Sequence, residues 1–314
     1  MTELDPLRPS PRLLWSGLIS DDPAAEVGVL GVPFDGGARY RRGTAFAPSR
    51  LRELTTYLMC CADEGQPLSL RVRDYGDIFP DLEWSRYFQA VEERAIGVFH
   101  HSLALFLGGD HSVTIPLVRA FDRTVEGPFG LLCFDAHPDL FDVYDGHRWS
   151  HGCPARRALE LPGLDDQHLV FVGLRSIARD EWDFLQAHPE ISYYTARQCY
   201  LHGMEAIAEK VIAKLQDVHA VYVTLDIDSL DPAYAPGTTY SEAGGLSTRE
   251  LLELVRVVFQ ELSVRAMDIV EVVPPLDHGD ITSFAALKII YEAWWATQKK
   301  MKSADTWGTE IPKR

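Results

Sequence analysis

Short, near-continuous apolar runs alternate with helical patterns along this chain, and that alternation restricts the fold more than any other feature. The runs are Val27–Val32, Leu103–Leu107, Gly130–Asp135, Leu169–Gly173, Ala220–Asp226 and Met267–Val272, all rich in Val, Ile, Leu or Phe. Strands that are apolar on both faces belong in a parallel sheet covered by helices on each side. Helical patterns lie between them at Ser49–Met59, Trp84–His101, Val113–Phe121, Pro154–Leu161, Met204–Leu215 and Thr248–Leu262, with a final one at Ile281–Ala296. Ser247 followed by Glu250 is a capping box, which marks the start of one helix sharply. The expected fold is a single open α/β domain over residues 1–301 with a mostly parallel sheet, followed by a polar tail at 302–314.

Composition narrows the partners. With 30 basic and 46 acidic residues the net charge is −16, a field that repels phosphate backbones and tolerates cationic small molecules. Nucleic-acid binding is therefore not expected. The five cysteines are odd in number and form no CxxC pair, which argues against a disulfide framework or structural zinc and for reduced thiols in the cytoplasm. The residues after Met1 do not read as a signal peptide, and no run approaches the roughly 20 apolar residues of a membrane span. The phosphate-binding patterns GxGxxG, after the first strand, and GxxxxGK[ST] are both missing.

In open α/β sheets, ligands sit at the carboxyl ends of the strands. Four polar clusters fall there. Gly108-Gly109-Asp110-His111-Ser112 follows Leu103–Leu107; its glycines permit a tight turn, and His111 alone is a weak signal. Asp135-Ala136-His137-Pro138-Asp139 follows the next apolar run. In extended chain, Asp135, His137 and Asp139 would share one face, which makes a metal site geometrically simple. Asp226 and Asp228 share a face by the same argument, and two neighbouring carboxylates call for a cation between them. Glu271, inside an apolar run, is a lone carboxylate that also needs a cationic partner, and a substrate cation would serve. Two His and four Asp exceed what a single divalent ion requires; two ions bridged by carboxylates use them all. Imidazole and hard oxygen donors without thiolate suit Mn²⁺, with Ni²⁺ as the alternative.

The assembled motifs resemble the ureohydrolase family, which includes arginase and agmatinase, and are closer to agmatinase. The resemblance runs from Gly31-Val32-Pro33-Phe34-Asp35-Gly36-Gly37 through Arg42-Gly43-Thr44 to the last helix, and includes the segments at 108–112, 135–139 and Asp226-Ile227-Asp228-Ser229-Leu230-Asp231-Pro232. It implies a three-layer α/β/α fold with a parallel, roughly eight-stranded sheet. It implies that His111 and Asp139 bind one metal, that His137 and Asp228 bind the other, and that Asp135 and Asp226 bridge them. It assigns His151 as a proton shuttle and Glu271 as the group that holds a guanidinium. The reaction implied is attack of activated water on the guanidinium carbon, giving urea and an amine. A trimer or hexamer is implied, and a hetero-oligomer with a second kind of subunit stays open.

The substrate is less defined. Arginase carries Ser-Gly-Asn before the corresponding histidine; here Asp145-Gly146-His147-Arg148-Trp149-Ser150 stands there, which argues against arginine. Pro138 replaces a common threonine and stiffens its loop. In Pro236-Gly237-Thr238-Thr239-Tyr240-Ser241-Glu242, Tyr240 replaces a threonine that lies near the guanidinium in relatives. Either Tyr240 narrows the pocket, favouring guanidine itself, a short guanidino acid or an N-substituted biguanide such as metformin, or it turns to solvent and agmatine fits. Two other readings are a non-catalytic or partner-dependent subunit and hydrolysis of formimidoylglutamate. The latter substrate is anionic and would want a basic pocket, whereas these loops supply Glu242. Cys153 adjoins His151 and would be reactive only if accessible.

Overall fold

The computed structural model describes residues 11–38 and 40–307. Eight strands form one sheet: β1 (Val27–Gly31), β2 (Val72–Asp77), β3 (Leu103–Leu107), β4 (Phe129–Phe134), β5 (Leu169–Leu174), β6 (Ser192–Thr195), β7 (Ala220–Asp226) and β8 (Val264–Val270). They lie in the order β2-β1-β3-β8-β7-β4-β5-β6. Every neighbouring pair is parallel. The helices are α1 (Ala47–Leu54), α2 (Trp84–Ile96), α3 (Thr114–Asp122), α4 (Pro154–Ala158), α5 (Arg179–Ala187), α6 (Ala196–His202), α7 (Met204–Leu215), α8 (Thr248–Glu261) and α9 (Ile281–Trp307).

Side chains that alternate along each strand serve two separate cores. Val27, Val29, Val223 and Leu225 pack with α1, α7, α8 and α9 on one face. Leu30, Phe106, Leu131 and Tyr222 pack with α2 and α3 on the other. Burial on both faces is why these strands read as continuous apolar runs. Each fully buried Val, Leu or Phe stabilises the fold by about 1.5–3 kcal/mol.

β2 and β6 carry no such run, and the sequence reading passed over both. They read VRDYGD and SYYT, and they are the two edges of the sheet. An edge strand has one neighbour and a partly solvated surface, so apolar continuity is not required of it. Helices α5 and α6 were likewise not anticipated. Other boundaries shift. The first helix ends at Leu54 and continues as a 3-10 turn, Thr55–Tyr57, and α2 stops at Ile96 before Gly97. The last helix runs past Ala296 to Trp307, so the segment expected as a tail begins as helix. Residues 308–314 lie outside the described ones.

Candidate metal centre and cleft

The four polar clusters leave the carboxyl ends of β3, β8, β7 and β4, the four central strands of the sheet in spatial order. They come from distant parts of the chain, and the parallel topology sets them side by side. The β3 loop is possible because Gly109 has no side chain: a Cβ there would sit 1.8 Å from the Phe34 carbonyl oxygen. That close approach lets Asp110 N–H donate to Phe34 O at 2.8 Å and turns His111 over the sheet edge.

Two overlapping groups able to hold a metal ion result: His111, Asp135 and Asp139, and Asp135, His137 and Asp228. In the first, His111 Nδ1 lies 3.1 Å from Asp135 and 2.9 Å from Asp139. In the second, His137 Nδ1 lies 3.1 Å from Asp228 and 3.5 Å from Asp135. Asp226 stands beside the first group, 3.5 Å from His111 Nδ1, and accepts from Asp228 N–H with its other oxygen. The extended segment expected at 135–139 is not found. The strand ends at Phe134, the chain bends, and Asp139 takes φ 52°. The three side chains converge through that bend rather than through strand alternation.

This arrangement fits divalent cations. His111 is buried, yet its Nδ1 has no aligned hydrogen-bond partner and faces three carboxylates. A buried unpartnered nitrogen among anions is costly, and a cation relieves both problems. The charge balance of the groups agrees. Burial opposes the charged form of His111 and His137, but the surrounding aspartates outweigh it and raise both well above the usual imidazole range. Burial and then neighbouring carboxylates push Asp226 and Asp139 upward. Asp135 ends below the usual range because the two histidines beside it outweigh its burial.

A cavity of about 390 Å³ opens onto this cluster and is also lined by Glu271, His151, Tyr240 and Glu242. Glu271 is not inside a strand, as the sequence suggested, but one residue beyond β8 at φ 62°, with its N–H donating to Gly109 O. Positive φ at a non-glycine residue costs about 1–3 kcal/mol and clusters at functional positions. Glu271 accepts from the His111 N–H and the Thr239 hydroxyl. Burial, helped by Asp110, pushes its carboxyl up to about 7. His151 donates from Nδ1 to the Gly37 carbonyl at 2.6 Å, which fixes the tautomer and leaves Nε2 as the ring acceptor. Tyr240 does not turn to solvent. It faces the His151 ring and the edge of His137. Glu242 lies at the rim, half-exposed and 3.9 Å from His137 Nε2. Cys153 is fully buried, and burial pushes its thiol up to about 11, so it is not a ready nucleophile.

Several cavity residues escaped the sequence reading. Glu181 reaches the cavity from α5, accepts from Leu140 N–H and Ala178 N–H, and is pushed up to about 7 by burial and then by Asp139. Recognising the start of α5 would have found it, since a glutamate at the third helical position commonly closes a cap. Phe141 and Tyr144 line the cavity from the loop after Asp139, where no periodic signal exists.

An all-parallel sheet with paired His/Asp groups over its central strands, opening into a cleft, defines a metal-dependent hydrolase. Residues 25–295 match the model of the arginase family, and the chain belongs to that family. Its members are metal-dependent amidinohydrolases that cleave C–N bonds of guanidino compounds at a binuclear divalent metal site. The chain is 36% identical over 279 residues to a guanidinobutyrase of Pseudomonas aeruginosa, covering 86% of this chain and 85% of that one. It is 34% identical to an agmatinase of Bacillus subtilis, with 85% and 90% covered. A formimidoylglutamase structure from Bacillus subtilis superposes with a TM-score of 0.84 at 28% identity, covering 92% of this chain and 94% of the other.

Proposed function

We propose that this protein hydrolyses a guanidino compound lacking an anionic tail to urea and an amine, with agmatine the lead substrate. One observation carries this reading: among the described residues lining the cavity there is no lysine or arginine, while Glu271, Glu242 and Glu181 supply carboxylates. Such a wall suits a cation and disfavours guanidinobutyrate, arginine or formimidoylglutamate, whose carboxylates would enter unpaired. A short or N-substituted guanidine is the second reading, favoured by the Tyr240 ring inside the cleft.

In this mechanism His111 and Asp139 would hold one ion and His137 and Asp228 the other, with Asp135 and Asp226 as ligands available to both. Two divalent ions, Mn²⁺ by donor type or Ni²⁺ as the alternative, supply charge that activates water and offsets developing negative charge. Glu271 accepts hydrogen bonds from the guanidinium and orients its carbon toward the cluster. His151 would take up at Nε2 the proton that the attacking water loses and pass it to the departing amine nitrogen, because amide-like nitrogen leaves poorly as an anion. Location in the cytoplasm is supported by five unpaired cysteines, and assembly as a trimer or hexamer is the expectation from the family. Urea release should be measured on agmatine, arginine, guanidinobutyrate, guanidine and a dimethylbiguanide, with Mn²⁺ and Ni²⁺ loaded separately. Turnover of agmatine or a short guanidine with poor turnover of the two carboxylates is expected. Preference for guanidinobutyrate would overturn the reading, and no turnover with both ions bound would favour a partner-dependent subunit.

A further inference from the structure

Asp268 belongs to neither metal-holding group above, yet it is a fully enclosed carboxylate beside them. It lies on β8, paired in register with Thr224 on β7, and is 0% exposed. Three hydroxyls point at it: Thr224 Oγ1 at 2.7 Å, Tyr222 OH at 2.8 Å and Thr114 Oγ1 at 2.9 Å. Among the described residues no lysine or arginine pairs with it. A carboxylate held by three hydroxyl donors in a dry core is expensive, and the apolar face around it gives no packing reason for it.

The link to the cleft is Thr224. Its hydroxyl has one proton, which goes to Asp268, and its free lone pair faces His111 Nε2 at 2.9 Å. Since Thr224 can only accept on that side, His111 must carry its proton on Nε2 and donate it. Its Nδ1, turned toward Asp135, Asp139 and Asp226 with no aligned partner, is then the ring nitrogen left for a metal ion. We infer that Asp268 is a positioning residue that acts through the Thr224 hydroxyl to fix the tautomer and ring plane of His111 for metal binding. Tyr222 and Thr114 hold Asp268 still. The inference rests on the reading of His111 as a ligand. A partner beyond the ligand that accepts the other ring N–H commonly changes metal affinity by about 10–100-fold when removed.

The test is Mn²⁺ titration of the purified, chelator-stripped full chain against a fluorescent competitor, with electron paramagnetic resonance at each loading. Thr224→Val removes the hydroxyl at equal volume, Thr224→Ser restores it, and Asp268→Asn removes the charge. Thr224→Cys is a second variant should the valine form not fold. The expected result is a 10–100-fold weaker affinity for one of the two ions in the valine, cysteine and asparagine variants. The isolated six-line Mn²⁺ signal should then appear where the wild type gives a spin-coupled pair, with recovery in Thr224→Ser. A merely structural role would lower the melting temperature without separating the two affinities, and that outcome overturns the proposal. Both ions bound at wild-type affinity by folded Thr224→Val or Thr224→Cys overturns it as well. If instead the wild type holds fewer than two ions, or His111→Asn keeps both, the ligand reading itself fails and the relay with it.

Discussion

The phenol ring of Tyr240 lies face to face with the imidazole of His151, their centroids 6.0 Å apart and their planes 25° apart. Tyr40 also stacks against it, at 5.9 Å. Both contacts hold the ring in the lining of the cleft, where it takes volume that a longer substrate tail would need if it passed there. Tyr240→Thr should raise kcat/KM for agmatine relative to guanidine by about tenfold or more, a magnitude typical of pocket-size discrimination. Urea release on the two substrates measures it. An unchanged ratio would mean that the tail leaves the cleft by another route.

Glu271 is the proposed guanidinium partner, and its substitution would separate substrate binding from metal binding. Glu271→Gln preserves shape but removes the charge that pairs with a guanidinium. Losing one partner of a buried charge pair costs about 2–5 kcal/mol, or roughly 30-fold to a few thousand-fold in kcat/KM. The metal content should stay at the wild-type value, since Glu271 belongs to neither ligand group. Loss of metal together with activity would instead place Glu271 in the metal cluster.

Metal uptake should release protons. In the metal-free protein both His111 and His137 are raised above the ordinary imidazole range by the aspartates around them. Their contribution to stability is fully present below about pH 6.5, the unfolded value, and is lost as pH rises through the folded ones. A divalent ion takes the place of those protons. Calorimetric titration at pH 7 in buffers of different ionisation enthalpy should therefore show release of close to two protons per pair of ions, and an affinity that rises with pH. Chelation should lower the melting temperature most in alkaline buffer. A binding enthalpy independent of buffer would contradict the protonated histidines.

His151 is the proposed proton carrier, and substitution isolates that role. Its Nδ1 is committed to Gly37 O, so Nε2 alone is free to exchange protons. His151→Asn should lower kcat by about 10²-fold or more, with KM nearly unchanged and both ions retained. The deficit should shrink for substrates whose departing amine has a low pKa, because such amines need less help to leave. An equal deficit across leaving groups would point to positioning rather than proton transfer.

How much of this could be read from the chain depends on what each residue answers to. The six buried strands were legible because double burial imposes apolar continuity, and Asp135, His137, Asp226 and Asp228 were legible because they follow such strands directly. Edge strands β2 and β6 answer to one neighbour and to solvent, so they leave no comparable trace. Glu181 lies outside the recognised motifs, and Asp268 opens one of them without a role of its own there; what is proposed for both comes from three-dimensional neighbours far away in sequence. The bend at Asp139 was invisible for a related reason: its positive φ is held by contacts, not by residue type.

Glu181 allows that last point to be tested. Its two oxygens accept from Ala178 N–H, which starts α5, and from Leu140 N–H, which follows Asp139, so one carboxyl ties a helix start to the bend. Glutamine can accept only one of these bonds well, and an unsatisfied buried N–H costs about 1–3 kcal/mol. Glu181→Gln should therefore melt several degrees lower in chelated protein. The pH dependence has a definite sign. Burial raises the folded-state pKa of Glu181 to about 7, above its unfolded value of 4.5. The stability linked to that proton is fully present below pH 4.5 and lost as pH rises through 7. Glutamine has no such proton, so the gap in melting temperature between wild type and variant should narrow from pH 5 to pH 8. A gap that widens over that range would mean that Glu181 is ionised well below 7 and is held as a carboxylate by its two N–H donors.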